Sequence, residues 1–545
     1  MCRAPTAADL QSCSHNSTGF GESPHTEVLS YAGLDALSNR LAHALRSTGV
    51  RKGDRVAVSL GNVVENAALT YAVFKLGAVL VPLNPSFNQA QLTAALAHLG
   101  AKTLVIGAVT DLPYKPCRGR SNLPLLEGFI PDMAAGGGGR IASEHVPTLE
   151  TVIVVDNRAA HPHIAAFPLE QLRALTPLSE LLSSSASSHA VVPDSPLAAD
   201  ETINIQFTSG TTSQPKAAQL SHTCILNNGR LIAARMGLGP RRPHRRAAAA
   251  VPLLRLRAGL HGDGDDGRRD ATGLYGVATM FVAELELLEA SPALRDRLQE
   301  IHPHRAPFRR LRKGIAAGSS VPESLMRRLY AALGLEELAI CYGQTETSPV
   351  SLMTSPADSL VRRTGTVGRA MPHTAVKVVD PTDRGRVLPR GARGELAASG
   401  YLVMQGGDEA RMDAEGYVEI TGRIKDLIIR GGENIHPLEV EDCLLQCPGV
   451  GDVSVVGVPH PKYGEAVGAF VVAHAGWTTG DKDGNGKHVL REEDLKAWVR
   501  EKLSAHLVPS HVWFVDDYPK TASGKIQKFK LRDMAVRSLA DSASS

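Results

Sequence analysis

Hydroxyl-bearing residues cluster after the apolar stretch at 205–207, and their spacing suits phosphate chemistry. The cluster contains small, hydroxyl and basic residues, namely Thr208, Ser209, Gly210, Thr211, Thr212 and Lys216. Consecutive backbone N–H groups in such a turn form a concave anion site. Hydroxyls donate further hydrogen bonds, and a lysine adds a mobile positive charge. The cluster therefore predicts a polyphosphate loop, although it lacks the spacing of a P-loop. A polar turn between a strand and a helix is the alternative.

A second turn of small residues follows an apolar stretch further along the chain. Gly318, Ser319 and Ser320 precede Pro322, so we predict a strand, a turn and then a helix. Because such a turn carries little side-chain bulk, the flat face of an adenine ring could approach its backbone. An ordinary strand–helix turn is the equally open alternative.

The segment Tyr-Gly-Gln-Thr-Glu at residues 342–346 adds an aromatic ring and a carboxylate. Tyr342, next to Gly343, could stack on adenine. Thr345 could bond an α-phosphate, and Glu346 supplies the hard oxygen ligands that suit Mg²⁺ bound through a carboxylate and phosphate oxygens. A solvated loop acid is the alternative for Glu346.

These motifs resemble those of the adenylate-forming, or AMP-binding, enzyme superfamily, and most of all its medium-chain fatty acyl-CoA synthetases. The resemblance rests on Thr-Ser-Gly-Thr-Thr-x-x-Pro-Lys, Tyr-Gly-x-Thr-Glu, Arg-Gly-Gly-Glu-Asn-Ile and Ser-Gly-Lys-Ile-Gln-Lys-Phe-Lys. It covers roughly residues 25–535. It implies ATP-dependent activation of a carboxylic acid to an acyl-adenylate, followed by transfer to coenzyme A. The implied cofactors are therefore ATP, Mg²⁺ and coenzyme A, and the implied partner is a small carboxylic acid.

The resemblance also implies a ribose site and a mobile C-terminal domain. Asp408 lies fifteen positions before Arg423, the family's separation between the acid that holds the ribose hydroxyls and its arginine partner. A carboxylate that accepts from two vicinal hydroxyls is a sensible ribose clamp, and a turn aspartate is the alternative. Lys425 occupies the position about which the small domain pivots.

Two further motifs supply the implied coenzyme A and catalytic residues. In Arg-Gly-Gly-Glu-Asn-Ile, Gly431 and Gly432, followed by Glu433, leave the backbone bare where a pantetheine arm would pass. In Ser-Gly-Lys-Ile, Lys525 is the implied catalytic lysine, although an exposed basic turn is the alternative. Its charge would sit between phosphate and carboxylate in the transition state, with Mg²⁺ bound through Glu346. The small domain must then swing aside to admit the thiol.

Residues 240–270 depart from the family pattern. Arginine and glycine dominate the segment, and it has no helix or strand period. A basic nucleic-acid arm is one interpretation, but the whole-chain charge and the lack of aromatic residues do not support it. A wrong reading frame or a mispredicted exon is simpler, and we expect the segment to pack poorly. A tract of some twenty residues is also missing between Gly406 and Gly407, and Ser213 and Ala217 replace two glycines of the usual phosphate loop.

These departures leave three functional hypotheses open. The first is an active acid–thiol ligase of the acyl-CoA synthetase type. The second is a catalytically impaired, ligase-like protein or a faulty gene model. The third is a stand-alone adenylation enzyme for an aryl or amino acid.

Composition excludes several other classes of protein. The chain has 545 residues, 43% of them hydrophobic and 21% charged, with a net charge of +3. Such a balance is typical of a soluble globular protein and too weakly basic to imply nucleic acid or a membrane surface.

Cys443 and Cys447 lack further metal-ligand partners, so we predict reduced core thiols. The segment 481–492 fits an EF-hand pattern, yet strand-like residues precede it, so we predict a surface hairpin.

Alternating helix and strand patterns predict an α/β fold. Leu34, Leu37, Leu41 and Leu45 recur at helical spacing, and 55–60, 78–83, 103–107 and 152–156 are typical of strands. We interpret 112–146 as a surface insertion and 183–188 as a flexible polar connection. The alternation predicts a large N-terminal domain of mostly parallel sheets flanked by helices, with a smaller β-rich subdomain. A small mobile α+β domain follows it.

The predicted domain order runs from an N-terminal extension to a short tail. Residues 1–24 are predicted to be disordered, 25–423 form the large AMP-binding domain, 424–535 form the small domain, and 536–545 form the tail. The first residues lack the apolar core of a signal peptide and make a poor transit peptide. We therefore expect an intracellular protein of the cytoplasm or mitochondrion, with no membrane span.

Overall fold

A computed structural model describes residues 30–544 of the chain, apart from internal gaps. The longer gaps are residues 112–118, 135–140, 209–215, 239–272, 290–311, 318–322, 401–406, 481–487 and 521–525, and single residues or pairs are missing elsewhere. The predicted N-terminal extension, the anomalous segment and the start of the EF-hand-like loop therefore lie outside the described residues. No helix in the described part of the chain is both long and apolar enough to cross a bilayer.

The chain divides into two compact units, the first ending at Arg230 and the second dominated by residues from Thr272 onward. The first unit contains α1 (Tyr31–Ser47), β1 (Arg55–Ser59), α2 (Val64–Leu76), β2 (Val79–Pro82), α3 (Gln89–Leu99), β3 (Thr103–Gly107), β4 (Val109–Asp111), β5 (Gly119–Ser121), α4 (Leu123–Glu127), β6 (Thr151–Val155), β7 (Thr176–Pro177), α5 (Leu178–Ser184), β8 (Thr202–Thr208), β9 (Lys216–Ser221) and most of α6 (His222–Arg235).

The first unit is built on a seven-stranded sheet of order β7-β6-β3-β1-β2-β8-β9. Every neighbouring pair is parallel except β8 and β9, which are antiparallel. Helices cover the sheet because each parallel connection must cross back over a face. Two apolar cores contain opposite faces of the central strands, with Ala57 in one and Val56 in the other. The predicted parallel sheet is therefore confirmed.

The first helix shows how local sequence sets these elements. Its N-cap Ser30 accepts a hydrogen bond from the Gly33 backbone N–H at 3.0 Å. Leu41 and Leu45 are almost fully buried, as their helical spacing predicts. After the helix, Gly49 adopts a φ of 101°, which ends the helix at low steric cost.

Two sequence predictions in the first unit are wrong in part. The interpretation of 112–146 as a surface insertion fails because Phe129 and Ile130 are 1% and 2% exposed, and they pack in the same core as Leu104. The helix there spans only five residues, too short to show a period. The polar connection at 183–188 begins inside α5, where the hydroxyls of Ser183 and Ser184 donate back to helical carbonyls.

The second unit begins with a mixed sheet and an antiparallel sheet. The mixed sheet has the order β10-β11-β12-β13-β14, with the first three strands parallel. The antiparallel sheet has the order β15-β16-β17-β18 and matches the predicted β-rich subdomain. The elements are β10 (Gly273–Val277), β11 (Lys313–Ala317), α7 (Glu323–Leu333), β12 (Glu337–Gly343), β13 (Val350–Met353), α8 (Leu360–Gly365), β14 (Arg369–Ala370), β15 (Ala375–Val379), β16 (Arg393–Ser399), β17 (Asp408–Met412) and β18 (Val418–Arg423).

The last part of the second unit is the predicted α+β arrangement. A sheet of order β20-β19-β22-β21, with β25 beside β22, packs with three helices. Its elements are β19 (Ile428–Arg430), β20 (Glu433–Ile435), α9 (Pro437–Leu444), β21 (Val450–His460), β22 (Gly464–Ala473), β23 (Thr478–Thr479), β24 (Val489–Leu490), α10 (Glu492–Lys502), β25 (His511–Phe514) and α11 (Lys528–Ser544). Cys443 and Cys447 are buried free thiols in this core, as predicted, and burial raises the pKa of both.

A one-turn 3₁₀ helix at Ile424–Asp426 links the antiparallel sheet to this C-terminal part. The predicted domain boundary after Arg423 falls at its start. The boundary itself stays a prediction.

Candidate functional site

The predicted phosphate loop connects two antiparallel strands of the first unit. Thr208 ends β8 and lies opposite Lys216, which begins β9, so the backbones of the two residues are paired. The loop at 209–215, with Ser209, Gly210, Thr211 and Thr212, lies outside the described residues. It leaves the carboxyl end of β8, which is where ligands bind in open α/β sheets.

Ala217, one of the two residues that replace a family glycine, fits its position without strain. It lies in β9 opposite Phe207 and packs against the core of the first unit. An extended strand accepts any side chain, so this replacement carries no backbone penalty. The other replacement, Ser213, lies outside the described part of the chain.

The predicted adenine turn lies between β11 and α7. The strand ends at Ala317 and the helix begins at Glu323, which confirms the predicted strand and helix. The turn residues Gly318, Ser319 and Ser320 lie in the undescribed interval, so their contact with adenine stays a prediction.

The Tyr-Gly-Gln-Thr-Glu motif follows the end of β12 and forms a tight turn. Gly343 approaches the returning chain so closely that an added Cβ would lie 1.7 Å from the Pro349 carbonyl oxygen. Thr345 and Glu346 lie in a one-turn 3₁₀ helix, Thr345–Thr347. Within this turn the Thr347 hydroxyl accepts from the Gln344 N–H at 3.1 Å. The turn therefore holds the motif in one backbone conformation.

Magnesium would fit this turn through the Glu346 carboxylate. Glu346 is partly exposed, so an ion could reach its hard oxygen atoms. Among the residues that the structure describes, no group of three or more His, Cys, Asp or Glu side chains is arranged to hold a metal ion. Such a cluster is not required, because Mg²⁺ is commonly bound through one or two carboxylates and substrate phosphates.

Asp408, Arg423 and Tyr342 meet in the second unit. Asp408 and Arg423 are directly opposite each other in β17 and β18, and the Arg423 Nε atom lies 3.5 Å from Asp408 Oδ1. The Tyr342 hydroxyl donates to Asp408 Oδ2 at 2.5 Å. Burial, followed by the nearby Asp408 carboxylate, raises the pKa of Tyr342, so the phenol stays protonated and remains a donor.

The residues of the predicted pantetheine surface lie at the β19–β20 hairpin. Gly431 has a φ of 61°, and its N–H donates to the Tyr463 carbonyl at 2.8 Å. Gly432 lies outside the described residues. Glu433 is exposed, and its backbone lies opposite that of Arg430 in the hairpin. The Arg430 guanidinium lies 4.3 Å from the centroid of the Tyr463 ring, so a cation and an aromatic ring flank the bare backbone.

Lys525 itself is not among the described residues, but both ends of its segment are. Lys520 and Ile526 form an antiparallel bridge, and the Gln527 N–H donates to the Pro519 carbonyl at 2.8 Å. The structure therefore fixes the flanks of residues 521–525 and leaves the role of Lys525 a prediction.

Two contacts near these motifs were not anticipated from the sequence. Lys528 donates to the Glu441 carboxylate at 2.7 Å and ties the start of α11 to α9. Glu409 accepts a hydrogen bond from Thr421, and its Oε2 atom lies 3.2 Å from Nε2 of the largely buried His436. The sequence contained one sign of the Glu409 contact. Successive side chains of a strand point to opposite faces, so Glu409 must contact a different set of residues from Asp408.

Comparison with family models gives two matches that together span most of the chain. The model of the AMP-binding enzyme matches residues 16–254 and 267–406. The model of the AMP-binding enzyme C-terminal domain matches residues 439–525. The interruption at 255–266 falls inside the anomalous segment, and the first model ends at Gly406, where the twenty-residue tract is missing.

Individual relatives and a solved structure are similar to this chain over more than nine-tenths of its length. A Bacillus subtilis protein assigned as an acyl-CoA synthetase is 36% identical, over 93% of this chain and 92% of its own. A mitochondrial medium-chain acyl-CoA ligase of Danio rerio is 33% identical, over 92% of this chain and 82% of its own. ATP-bound MatB from Rhodopseudomonas palustris superposes with a TM-score of 0.68 at 25% identity, over 93% of this chain and 94% of its own.

Proposed function

The chain belongs to the AMP-binding enzyme family and is an acyl-CoA ligase that uses ATP and coenzyme A, and from this we propose that it activates medium-chain fatty acids. The observation that carries the proposed nucleotide site is the contact of Tyr342 and Arg423 with the Asp408 carboxylate. The chain length of the acid is supported by the names of the 31–33% identical medium-chain ligases of several vertebrates.

The proposed reaction has two steps, and the first makes the acid reactive. A carboxylate oxygen attacks the α-phosphorus of ATP, the bond to pyrophosphate breaks, and an acyl-adenylate forms. In the proposal the hydroxyl loop with Lys216 holds the leaving pyrophosphate, and Thr345 bonds the α-phosphate. Lys525 offsets the charge shared by phosphate and carboxylate. Magnesium held by Glu346 would supply further neutralisation of phosphate charge.

In the second step the coenzyme A thiol attacks the acyl carbon and AMP leaves. A lysine between carboxylate and phosphate would obstruct that approach, so we propose that the part after Arg423 rotates about Lys425. The position of Lys425 in a one-turn helix between the antiparallel sheet β15–β18 and the C-terminal sheet supports this role, because a short connection can absorb a large backbone rotation. The proposed domains are then residues 25–423 and 424–535.

The test of the proposed function is a substrate panel with the purified chain. Pyrophosphate release and acyl-CoA formation are measured with saturated acids of four to sixteen carbons, cinnamate and the common amino acids. We expect both products with a maximum near octanoate. Pyrophosphate release only with aryl or amino acids would favour a stand-alone adenylation enzyme. No release with any acid would favour an impaired ligase, and sequencing the transcript across residues 235–275 would then test for a faulty gene model.

We also propose that the basic side chains near Gly431 contact the phosphates of coenzyme A. The Lys462 Nζ atom lies 5.4 Å from the centroid of the Tyr463 ring, on which Arg430 also packs, and the His460 ring stacks on it at 4.9 Å. Several basic groups therefore adjoin the proposed pantetheine path. Phosphates favour such a setting, because charged hydrogen bonds are stronger than neutral ones.

Arg430→Ala is expected to raise KM for coenzyme A about tenfold or more, the effect of one charge-assisted hydrogen bond. The adenylation step should keep its native rate, because this residue is assigned to the thiol substrate alone. Steady-state kinetics of acyl-CoA formation and of pyrophosphate exchange measure the two effects. Arg500→Ala, which removes an exposed arginine elsewhere in the C-terminal part, serves as the control and should change neither quantity. An unchanged KM in Arg430→Ala would refute the assignment.

The proposed location is the mitochondrion or the cytoplasm. The Danio rerio relative is named as mitochondrial, and the Bacillus subtilis relative belongs to a bacterium, which has no mitochondria. Fractionation of the source cells, with the native chain followed by antibody, would decide between the two compartments.

A further inference from the structure

We propose that the Tyr342 hydroxyl positions the Asp408 carboxylate. Recognition of the ribose then depends on Tyr342, the residue that is also assigned to stacking on adenine. The inference rests on the proposed nucleotide site and adds a role for one atom within it. Tyr342 is here a positioning residue for Asp408, in addition to its proposed stacking on adenine. The two residues are 66 positions apart and belong to different sheets.

Counting the acceptor sites of the carboxylate shows why the hydroxyl matters. An ionised carboxylate has about four lone-pair sites. The Tyr342 hydroxyl occupies one on Oδ2 at 2.5 Å, and the Arg423 Nε atom lies 3.5 Å from Oδ1. Each oxygen therefore keeps a free acceptor site, and two sites are what a pair of vicinal ribose hydroxyls needs.

The two contacts on Asp408 are unequal restraints. Arg423 is 55% exposed and its contact is long, so solvent competes for it. The Tyr342 ring packs against an apolar cluster that includes Leu352 and Val418, and burial favours its hydrogen bond over one to water. The hydroxyl is thus the firmer restraint on the rotation of the carboxylate about χ2.

The backbone that carries Tyr342 is itself held in place. The close approach of Gly343 to Pro349 leaves no room for a side chain at position 343, so the two backbone segments are in direct contact. In β12, Tyr342 is paired with Leu352 of β13, and the register shifts immediately after it. A phenylalanine at position 342 would keep the ring and the packing and would remove only the donor atom.

The test compares ATP with 2′-deoxy-ATP and 3′-deoxy-ATP in wild type and Tyr342→Phe. In the wild type each missing hydroxyl is expected to lower kcat/KM of adenylation about tenfold or more, as for a lost hydrogen bond to a charged group. In Tyr342→Phe, kcat/KM with ATP should fall about tenfold, and the preference for ATP over either analogue should shrink to below about threefold.

A matched control removes the same kind of hydrogen bond elsewhere in the second unit. The Tyr417 hydroxyl donates to Asp358 at 2.8 Å. Tyr417→Phe should therefore keep the full preference for ATP. A purely structural role of the Tyr342 hydroxyl would lower activity with all three nucleotides equally, and a thermal melt would show the loss of stability.

The outcomes separate the inference from the proposed function. A wild type that does not distinguish ATP from its deoxy analogues would overturn the ribose role of Asp408 and the inference with it. A wild type that distinguishes them, with Tyr342→Phe showing the same preference, would overturn the inference alone. Tyr342→Phe in an Asp408→Asn background gives a second measurement. In that background, Tyr342→Phe should lower kcat/KM of adenylation by less than about twofold, because no carboxylate is left to position.

Discussion

Replacing Lys525 with alanine is expected to slow acyl-adenylate formation by about 100-fold to 1,000-fold, with thioester formation from preformed acyl-adenylate kept within about threefold. The first step gathers negative charge on phosphate and carboxylate together, and the proposal assigns this lysine to offset it. In the proposal, the thiol attacks an acyl group that is already activated in the second step, after the small domain has rotated away. Pyrophosphate exchange measures the first step, and acyl-CoA formation from synthetic acyl-adenylate measures the second.

The residues on either side of Lys525 make the difference between the two rates a specific test of the lysine's role. The Lys520–Ile526 bridge and the Lys528–Glu441 ion pair hold the segment at both ends. Alanine at position 525 therefore removes a charge and leaves these flanking contacts in place. Lys530→Ala, at an exposed position of α11, is the matched control and should keep both steps at the native rate. An equal loss of both steps in Lys525→Ala would contradict the assigned role.

The largest effect on stability is expected for Gly343→Ala. The new Cβ would lie 1.7 Å from the carbonyl oxygen of Pro349 and 3.0 Å from the backbone nitrogen of Ser351, and neither atom can turn away as a side chain could. We expect a loss of at least about 3 kcal/mol in the free energy of unfolding, above the usual cost of overpacking. Tm should fall by roughly 5–10 °C.

The same change should weaken ATP binding, because Tyr342 precedes the displaced backbone and would carry its hydroxyl away from Asp408. Thermal melts and KM for ATP measure the two effects. Gly365→Ala is the control in the same unit, since an added Cβ there meets no atom within 4 Å. It should change the free energy of unfolding by no more than about 0.5 kcal/mol. A Gly343→Ala variant that melts like the wild type would contradict the described turn.

Elements with a long, regular pattern could be predicted from the sequence. The helix at Tyr31–Ser47 and the strand at Thr103–Gly107 follow from local spacing of apolar residues, and the structure confirms both. The helix has its period because one face is buried, and the strand is a continuous apolar run because both of its faces are buried. The residues near 129 escaped prediction because a five-residue helix is too short to show a period.

Contacts between distant elements could not be predicted in the same way. The motifs identified Tyr342 and Asp408 separately, each with a role toward a different part of ATP. Their hydrogen bond depends on how the mixed sheet packs on the antiparallel sheet, which no local pattern specifies. The Glu409–His436 contact likewise joins segments whose proximity depends on the tertiary fold. The sequence likewise showed that Ala217 replaces a glycine of the family's phosphate loop, but only the structure shows that it is paired with Phe207 in the extended strand β9.

The short connection between β16 and β17 has a consequence for how this family can vary. These two strands are neighbours, with Gly394 opposite Ala410 and Glu395 opposite Glu409, and Asp408 is paired with Arg423 on the other side. Ladder hydrogen bonds on both edges of β17 set its register, independently of the length of chain that leads into it. We therefore expect that insertions or deletions between β16 and β17 leave Asp408, the carboxylate that we propose for the ribose, in register with Arg423.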